Sequence, residues 1–268
     1  VLTRAGEVAQ QYHEKQVVVK VAGYPGKTFT YHANTLSNPN DPQSYSFVVP
    51  YGVTLMGGYC EGLTIDNIKY EANWNKVDRD AAQFMTVLSA IKQGTTTQDV
   101  NGYHALTFGE KPVEWPDGKE KTTLVDGIYL EDGAATSLAP LGDSRTCGGG
   151  TIVPAWGHLR NCVVRNNKAR QGGGLYVLPG GLVTGCGIMQ NEATLEGGGI
   201  YACKDKQSES MNSSQPDEIR SHLISNTLVE NKANTGGGIY LEDGAALSVN
   251  VAIWGNTACL LYTSPSPR

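Results

Sequence analysis

Short apolar segments interrupted by glycine and asparagine run along most of this chain. Those of the C-terminal half span a few residues each and lie at 159–164, 182–183, 223–224 and 247–253. An amphipathic helix needs apolar positions at a period of about 3.6 over roughly ten residues, and frequent glycines break such a stretch. The pattern therefore predicts short β-strands joined by tight turns rather than a helical solenoid.

The N-terminal half contains similar strand-sized segments, at 16–22, 47–49, 53–59, 86–89 and 122–127. Their apolar and β-branched residues, bounded in places by Pro-Gly turns, are typical of strands. Residues 1–15 are the exception, because a short helix is predicted there. That helix would cover the unpaired edge of the first strands.

Internal repetition organises the second half of the chain. Gly-Gly-Gly triplets begin at residues 148, 172, 197 and 236, at spacings of 24, 25 and 39. Asn-x-Ala triads begin at 167, 191, 231 and 256, and the nonapeptide GIYLEDGAA occurs from residue 127 and again from residue 238. The polar segment 204–220 lengthens one interval, as a turn insertion does at little cost. The predicted repeat is about 24 residues long.

Short strands at this spacing predict an all-β fold, a single-stranded parallel β-helix in which each repeat forms one coil. Residues 16–258 are assigned to it, irregular to about residue 122 and regular afterwards. Equivalent positions then stack at about 4.8 Å. Leu175, Ile200 and Ile239 are expected to form an aliphatic column, and the triad asparagines a column of hydrogen-bonded amides. Glycine would occupy the tight corners.

Tyr176, Tyr201 and Tyr240 share one repeat position and are the candidate binding residues. Neighbouring residues of a strand face opposite ways, so these rings are expected to point outward if the adjacent aliphatic column points inward. An exposed aromatic strip suits the flat faces of sugars. The favoured alternative is a packing column, outward or inward, without a ligand.

Cys162 and Cys186 occupy equivalent repeat positions, which Thr227 and Val251 are expected to occupy in later coils. Parallel Cβ vectors at about 4.8 Å are too far apart for usual disulfide geometry, so buried thiols are favoured over a bridge. No closely spaced ligand pair of the zinc-site type occurs. No metal or other cofactor is predicted.

The catalytic possibilities rest on a few carboxylates and two histidines. The carboxylates are the pairs Glu131-Asp132 and Glu242-Asp243, together with Asp126 and Asp143. Adjacent acidic residues in a turn or strand point apart, which indicates solvated turns. His158 and His222 each precede a strand leucine; one hypothesis makes them neighbours on one face, while the favoured interpretation is that both are ordinary surface histidines. The sequence contains no nucleophile elbow, phosphate loop or dinucleotide fingerprint, and no catalytic residue is assigned.

Net charge and composition limit the classes of partner that this chain is expected to bind. With 26 acidic and 21 basic residues the net charge is −5, which disfavours nucleic acid and anionic membranes. No apolar run approaches the roughly 20 residues of a spanning helix. Residues 259–268 resemble a translated sequencing-library adaptor, so we expect the native sequence to stop near Ala258 and the chain to be an internal fragment of metagenomic origin.

The succession PYGVTLMGGY (50–59), VDRD then TVLSA (77–90), NGYHAL (101–106), TLVDGIYL (123–130) and repeated GGGIY with Asn-x-Ala resembles the right-handed β-helix surface proteins of Bacteroidota. It is more distantly similar to the polymorphic outer membrane proteins of chlamydiae. The resemblance covers about residues 16–258. It implies the right hand of the helix and a secreted or outer-membrane location, with any signal peptide upstream of this sequence, and it supplies no catalytic residues.

These observations favour a non-catalytic, extracellular or cell-surface module for adhesion, with a glycan or a host or microbial surface protein as partner. The first alternative is a polysaccharide lyase or glycoside hydrolase of the β-helix class, with active residues in the irregular N-terminal half or outside this sequence. The second is a passive surface spacer, which needs no site.

Overall fold

A computed structural model describes residues 1–25, 29–33, 36, 38, 40–65, 68–73, 79–92, 101–115, 118–204, 220–242 and 245–259. Its one α-helix in these ranges, α1, spans Leu2–Gln11, where the sequence predicted a helix. Ala5 and Ala9 lie on its buried face and pack into the main core. The helix contacts the first strands of the fold, and its role as a cap stays a prediction.

The remaining regular structure is almost entirely β. The first nine strands are β1 (Val17–Ala22), β2 (Tyr24–Pro25), β3 (Phe29–His32), β4 (Phe47–Val49), β5 (Val53–Tyr59), β6 (Leu63–Ile65), β7 (Ile68–Tyr70), β8 (Phe84–Ser89) and β9 (Leu106–Phe108). The next nine are β10 (Thr123–Asp126), β11 (Tyr129–Glu131), β12 (Ala134–Ala135), β13 (Thr151–Val153), β14 (Gly157–Arg160), β15 (Val163–Arg165), β16 (Lys168–Gln171), β17 (Leu175–Val177) and β18 (Leu182–Thr184). A short 3-10 helix, Ser144–Thr146, precedes β13.

The last ten strands continue the same succession of short strands. They are β19 (Gly187–Met189), β20 (Glu192–Glu196), β21 (Ile200–Ala202), β22 (Ser221–Ile224), β23 (Thr227–Val229), β24 (Lys232–Ala233), β25 (Ile239–Leu241), β26 (Ala246–Val249), β27 (Ala252–Trp254) and β28 (Thr257–Ala258).

Four long sheets run through the molecule, and each takes one strand from every regular repeat. Their orders are β1-β5-β10-β14-β18-β22-β26, β2-β8-β11-β15-β19-β23-β27, β12-β16-β20-β24-β28 and β13-β17-β21-β25. The pairings are parallel except that of β2 with β8, and the short β6–β7 pair is also antiparallel. Mostly parallel strands in stacked sheets are the arrangement of a parallel β-helix or solenoid.

The register places like residues above like residues. Leu175 pairs with Ile200, and Ile200 pairs with Ile239, so the predicted aliphatic column is confirmed. Leu175 and Ile200 are fully buried in the main core. Burial of each such side chain contributes roughly 1.5–3 kcal/mol, so the column accounts for a substantial part of the cohesion between repeats.

A second column consists of amides. Asn167, Asn191 and Asn231 each donate from Nδ2 to Oδ1 of the next triad asparagine, at 3.0, 3.0 and 2.9 Å, and the column ends at Asn256. Each Oδ1 also accepts the backbone N–H of the asparagine before it, and each Nδ2 also donates to a strand carbonyl. The predicted asparagine column is confirmed, and its buried polar atoms are satisfied.

The glycine triplets allow the repeats to approach closely. Gly197, the first of its triplet, has φ +67°, in the left-handed region that favours glycine. A Cβ on the next residue, Gly198, would lie 2.3 Å from the carbonyl oxygen of Gly237 in the following repeat. The triplet therefore combines one turn glycine with positions that have no room for a side chain.

Cys162 and Cys186 stack as buried free thiols, and the backbone N–H of Cys162 donates to Sγ of Cys186 at 3.4 Å. The expectation that Thr227 follows them is wrong. Thr227 pairs with Gly187, and the backbone N–H of Cys186 donates to Oδ1 of Asn226. The segment 204–220 lengthens the interval before this repeat, so counting from the glycine triplet placed the position one residue too late.

Candidate functional site

The tyrosine column forms as predicted but is not exposed. The rings of Tyr176 and Tyr201 stack with centroids 5.0 Å apart and 4° between their planes, and those of Tyr201 and Tyr240 stack at 5.1 Å. All three leave the main core and join a separate cluster with Cys147 and Cys203. Only 9% of Tyr176 and 4% of Tyr201 is exposed, while Tyr240 is half-buried.

The expected exposed strip is therefore wrong for Tyr176 and Tyr201. Alternation along the strand sends the rings out of the core, but Ile152 and Leu178 pack against the outer cluster as well. The hydroxyl of Tyr201 donates to Oε1 of Glu242 at 2.6 Å. Contact with a sugar face needs accessible rings, which these two tyrosines lack, so the packing alternative describes them better.

An open groove of about 450 Å³ lies beside this cluster. Ile152, which pairs with Tyr176, and Leu178 line both the groove and the tyrosine cluster. The β4–β9 pair adjoins the same region, because the backbone N–H of Leu106 donates to the carbonyl of Gly150 at 3.1 Å. The groove and the tyrosine column thus occupy neighbouring parts of one face of the β-structure.

Aromatic rings contribute much of the groove wall. Tyr45 is buried, whereas Tyr103 and Trp156 are half-buried with accessible surface in the groove. Nε1 of Trp156 donates to the carbonyl of Gly109 at 3.1 Å, and the Trp156 ring meets Tyr51 edge to face at 6.4 Å. These contacts fix the orientation of the indole before any ligand arrives.

The polar residues of the groove are held by hydrogen bonds within one loop and between distant parts of the chain. Oδ1 of Asp41 accepts the backbone N–H of Gln43 at 3.0 Å and the hydroxyl of Tyr103 at 3.4 Å. Burial, followed by the charge of Asp41, raises the pKa of the Tyr103 phenol. The hydroxyls of Ser46 and Thr107 are 2.7 Å apart. These loop residues and Thr107 of β9 therefore form a polar rim beside the aromatic wall.

Asp143 and Arg145 form a two-point ion pair on the far rim. Nε of Arg145 donates to Oδ1 and Nη2 to Oδ2 of Asp143, each at 2.9 Å. Hydrogen bonds from the guanidinium, then from the Arg145 backbone N–H, lower the pKa of Asp143 to about 2. The carboxylate also caps the short helix Ser144–Thr146, and this fixes the loop that carries both residues.

His104 is buried behind the groove. Its Nδ1 donates to the carbonyl of Gly148 at 2.7 Å. Burial lowers the pKa of His104, and backbone hydrogen bonds to Gly148 and Ser144 oppose this effect. The geometry supports a positioning role between β9 and the first glycine triplet.

The carboxylates considered for catalysis are engaged in structural contacts. Asp126 is buried and forms ion pairs with Arg79 and Arg160. Glu131 pairs with Arg165 at 2.5 Å, and Oδ2 of Asp132 accepts the hydroxyl of Ser89 at 2.6 Å.

Glu242 accepts both the Tyr201 hydroxyl and the backbone N–H of Lys204, while Asp243 lies outside the described residues. In the described part of the chain, these carboxylates do not converge on one cavity.

His158 and His222 share a strand face but are not neighbours. His158 pairs with Leu182, and Leu182 pairs with His222, so one repeat separates the two imidazoles. Nε2 of His158 bonds Oγ1 of Thr184 at 2.8 Å, and burial lowers the pKa of His158. The expectation of adjacent histidines is wrong, because the equivalent position in the intervening repeat is leucine.

The sequence reasoning did not find the groove. Among the described residues, its walls come from Asn38 and residues 41–46 and 103–110 of the irregular half, and from residues 143–145, 152–156 and 178 around β13 and β17. These segments have no common period, although the motif NGYHAL (101–106) belongs to the family resemblance described above. No local sequence pattern links Tyr103 and His104 with Trp156, so the sequence carried no signal for this site.

Among the described residues, no helix is long and apolar enough to cross a membrane. No family model, curated protein or solved structure matches this chain.

Proposed function

We propose that this chain is part of an exported, non-catalytic adhesion module that binds glycans in the groove lined by Tyr103 and Trp156. The observation that carries the proposal is the groove itself, in which two half-buried aromatic rings lie between polar rims. Aromatic faces pack against the C–H faces of sugars, while hydroxyls and carboxylates bind sugar hydroxyls. The parallel, stacked sheets provide a stiff support for these loops.

We further propose a single-stranded, right-handed β-helix of about 24 residues per coil, displayed on the cell surface or secreted. The parallel register of the repeats supports the coil arrangement, and the resemblance to bacterial surface β-helix proteins supports the hand and the location. A glycan-binding groove on such a support agrees with adhesion better than with a spacer, which would need no concave aromatic surface.

A glycan array probed with the full chain tests binding. We expect a defined set of bound glycans, and Tyr103→Ala and Trp156→Ala to weaken binding to them at least about fivefold. Tyr129→Ala is the matched control, because Tyr129 is a half-buried aromatic residue in β11, next to Arg165, and is not among the groove-lining residues. Circular dichroism establishes that each variant is folded.

Absence of binding across the array would favour the spacer, and equal losses for Tyr129→Ala and Tyr103→Ala would remove the groove as the site. A reducing-end assay on the bound glycans tests the enzyme alternative. Release of new reducing ends would replace the adhesion proposal with a glycan-cleaving one.

A further inference from the structure

The groove carries more negative than positive charge. Among the described residues that line it, three are carboxylates, those of Asp41, Glu110 and Asp143, against one guanidinium, that of Arg145. His104 also lines it, but burial lowers the pKa of His104 and favours the neutral imidazole, an effect that outweighs the opposing hydrogen bonds to Gly148 and Ser144. This imbalance matters because charges around a concave, partly dry surface act together on a ligand.

The positive charge of Arg145 is already matched. Its two-point contact with Asp143 uses Nε and Nη2, and this geometry is the preferred one between guanidinium and carboxylate. An acidic sugar would have to compete with Asp143 for the guanidinium. The described lining of the groove therefore offers no unmatched cation to a uronate.

Asp41 and Glu110 supply the surplus negative charge. The donors to the Asp41 carboxylate among the described residues are both neutral, the Gln43 backbone N–H and the Tyr103 hydroxyl. Within the described part of the chain, neither carboxylate has a cation within 4.0 Å. Lys92 lies over the Tyr45 ring at 5.2 Å but is not among the groove-lining residues.

The aromatic rings of the groove also favour a positively charged ligand. A cation near the face of a tyrosine or tryptophan is attracted by the negative π surface. Tyr103 joins both features, because its ring lines the groove and its hydroxyl bonds Asp41. A primary ammonium next to this pair would meet a carboxylate and an aromatic face together.

We propose that the groove selects oligosaccharides carrying free amino groups over their N-acetylated and uronic acid counterparts. This inference rests on the proposed glycan-binding function and adds the substrate class. The ammonium group is bound by Asp41 and Glu110, and the sugar ring packs against Tyr103 and Trp156. Acetylation removes the charge, and a uronate reverses it.

Calorimetric titration with three short oligosaccharides of equal length tests the selection, in a mildly acidic buffer of moderate salt. The probes are glucosamine, N-acetylglucosamine and galacturonate oligomers. We expect the glucosamine oligomer to bind at least about tenfold more tightly than the acetylated one, since each partly exposed charge pair contributes modestly. The galacturonate oligomer should bind most weakly.

Two variants distinguish attraction of the ammonium group by the groove from attraction by the negative charge of the whole protein. Glu110→Gln and Glu230→Gln each remove one exposed negative charge, but only Glu110 lines the groove. Glu110→Gln should reduce the preference for the free amine severalfold, while Glu230→Gln should preserve it. Equal loss in both variants would show general attraction and overturn the selection.

Equal affinity for acetylated and free-amine oligomers would also overturn the selection, but would leave glycan binding intact. Failure of all three oligomers and of the whole array would instead overturn the proposed function, and the selection with it.

Discussion

Nδ2 of Asn191 donates to Oδ1 of Asn231 at 3.0 Å, across the interval that contains the polar segment 204–220. The same Oδ1 accepts the backbone N–H of Asn191, so one amide satisfies two donors of the preceding repeat. The buried asparagines therefore link repeats through bonds that no apolar residue could replace.

Asn191→Ala should lower the free energy of unfolding by about 3 kcal/mol, because several buried donors and acceptors lose their partners. Chemical denaturation followed by circular dichroism measures the loss. Asn234→Ala is the control, since Asn234 is exposed in the same region and should change stability by no more than about 0.5 kcal/mol. Equal effects of the two substitutions would contradict a stabilising amide column.

Gly198→Ala should be strongly destabilising, by about 3 kcal/mol or more, because the added Cβ meets the backbone of the following repeat at 2.3 Å. Gly187→Ala serves as the matched change. There the nearest atom is the flexible end of Met189, at 3.2 Å, and we expect a cost below about 1 kcal/mol. Thermal unfolding of the two variants measures the difference, and a tolerated Gly198→Ala would show that the repeats are not so closely packed.

Stability should fall as the pH rises above about 10. Burial raises the pKa of Tyr176, with the nearby thiols Cys203 and Cys147 adding to the effect. Burial and then the bond to Glu242 raise the pKa of Tyr201. The folded state thus holds these protons more tightly than the unfolded state, so their stabilisation is complete below the unfolded value and is lost as the pH rises through the folded value.

Spectrophotometric titration of native and denatured protein tests this prediction. The difference between wild type and Tyr176→Phe isolates one phenol, which should ionise at higher pH in the native protein. Ionisation of that phenol at its ordinary pH in the folded state would contradict its burial.

The cysteines should differ sharply in alkylation. At about pH 8 an exposed thiol reacts quickly, so iodoacetamide should label Cys259 first. Burial raises the pKa of Cys147 to about 11 and also raises the pKa of Cys186, so both should be protected. Mass spectrometry of digested protein gives the order of labelling. Denaturant should expose all six cysteines, whereas native Cys147 reacting as fast as Cys259 would show an open tyrosine cluster.

The sequence allowed the repeat structure to be predicted in some detail. Equivalent positions stack, so the spacing of Leu175, Ile200 and the triad asparagines was enough to place them in columns. The same reasoning failed at Thr227, because an insertion changes the count between a triplet and the next strand. Periodicity identifies equivalent residues only where the interval is constant.

The exposure of the tyrosines could not be predicted in this way. Alternation gave the side of the strand on which Tyr176 lies, but its burial depends on residues such as Cys147 and Leu178 from adjoining turns. The groove also depends on contacts between segments that are distant in the sequence. Tyr103 and Trp156 are brought together by chain packing between irregular segments, and no local pattern encodes that proximity.

The corner that carries the long insertion has a practical consequence. Ala202 and His222 flank it and pair with their neighbouring repeats, so the strands on either side keep their alignment. The number of residues in this segment can therefore change without disturbing the alignment of the paired strands. A foreign peptide grafted between Lys204 and Arg220 would be presented from a stable frame, which makes this position suitable for engineering epitope display.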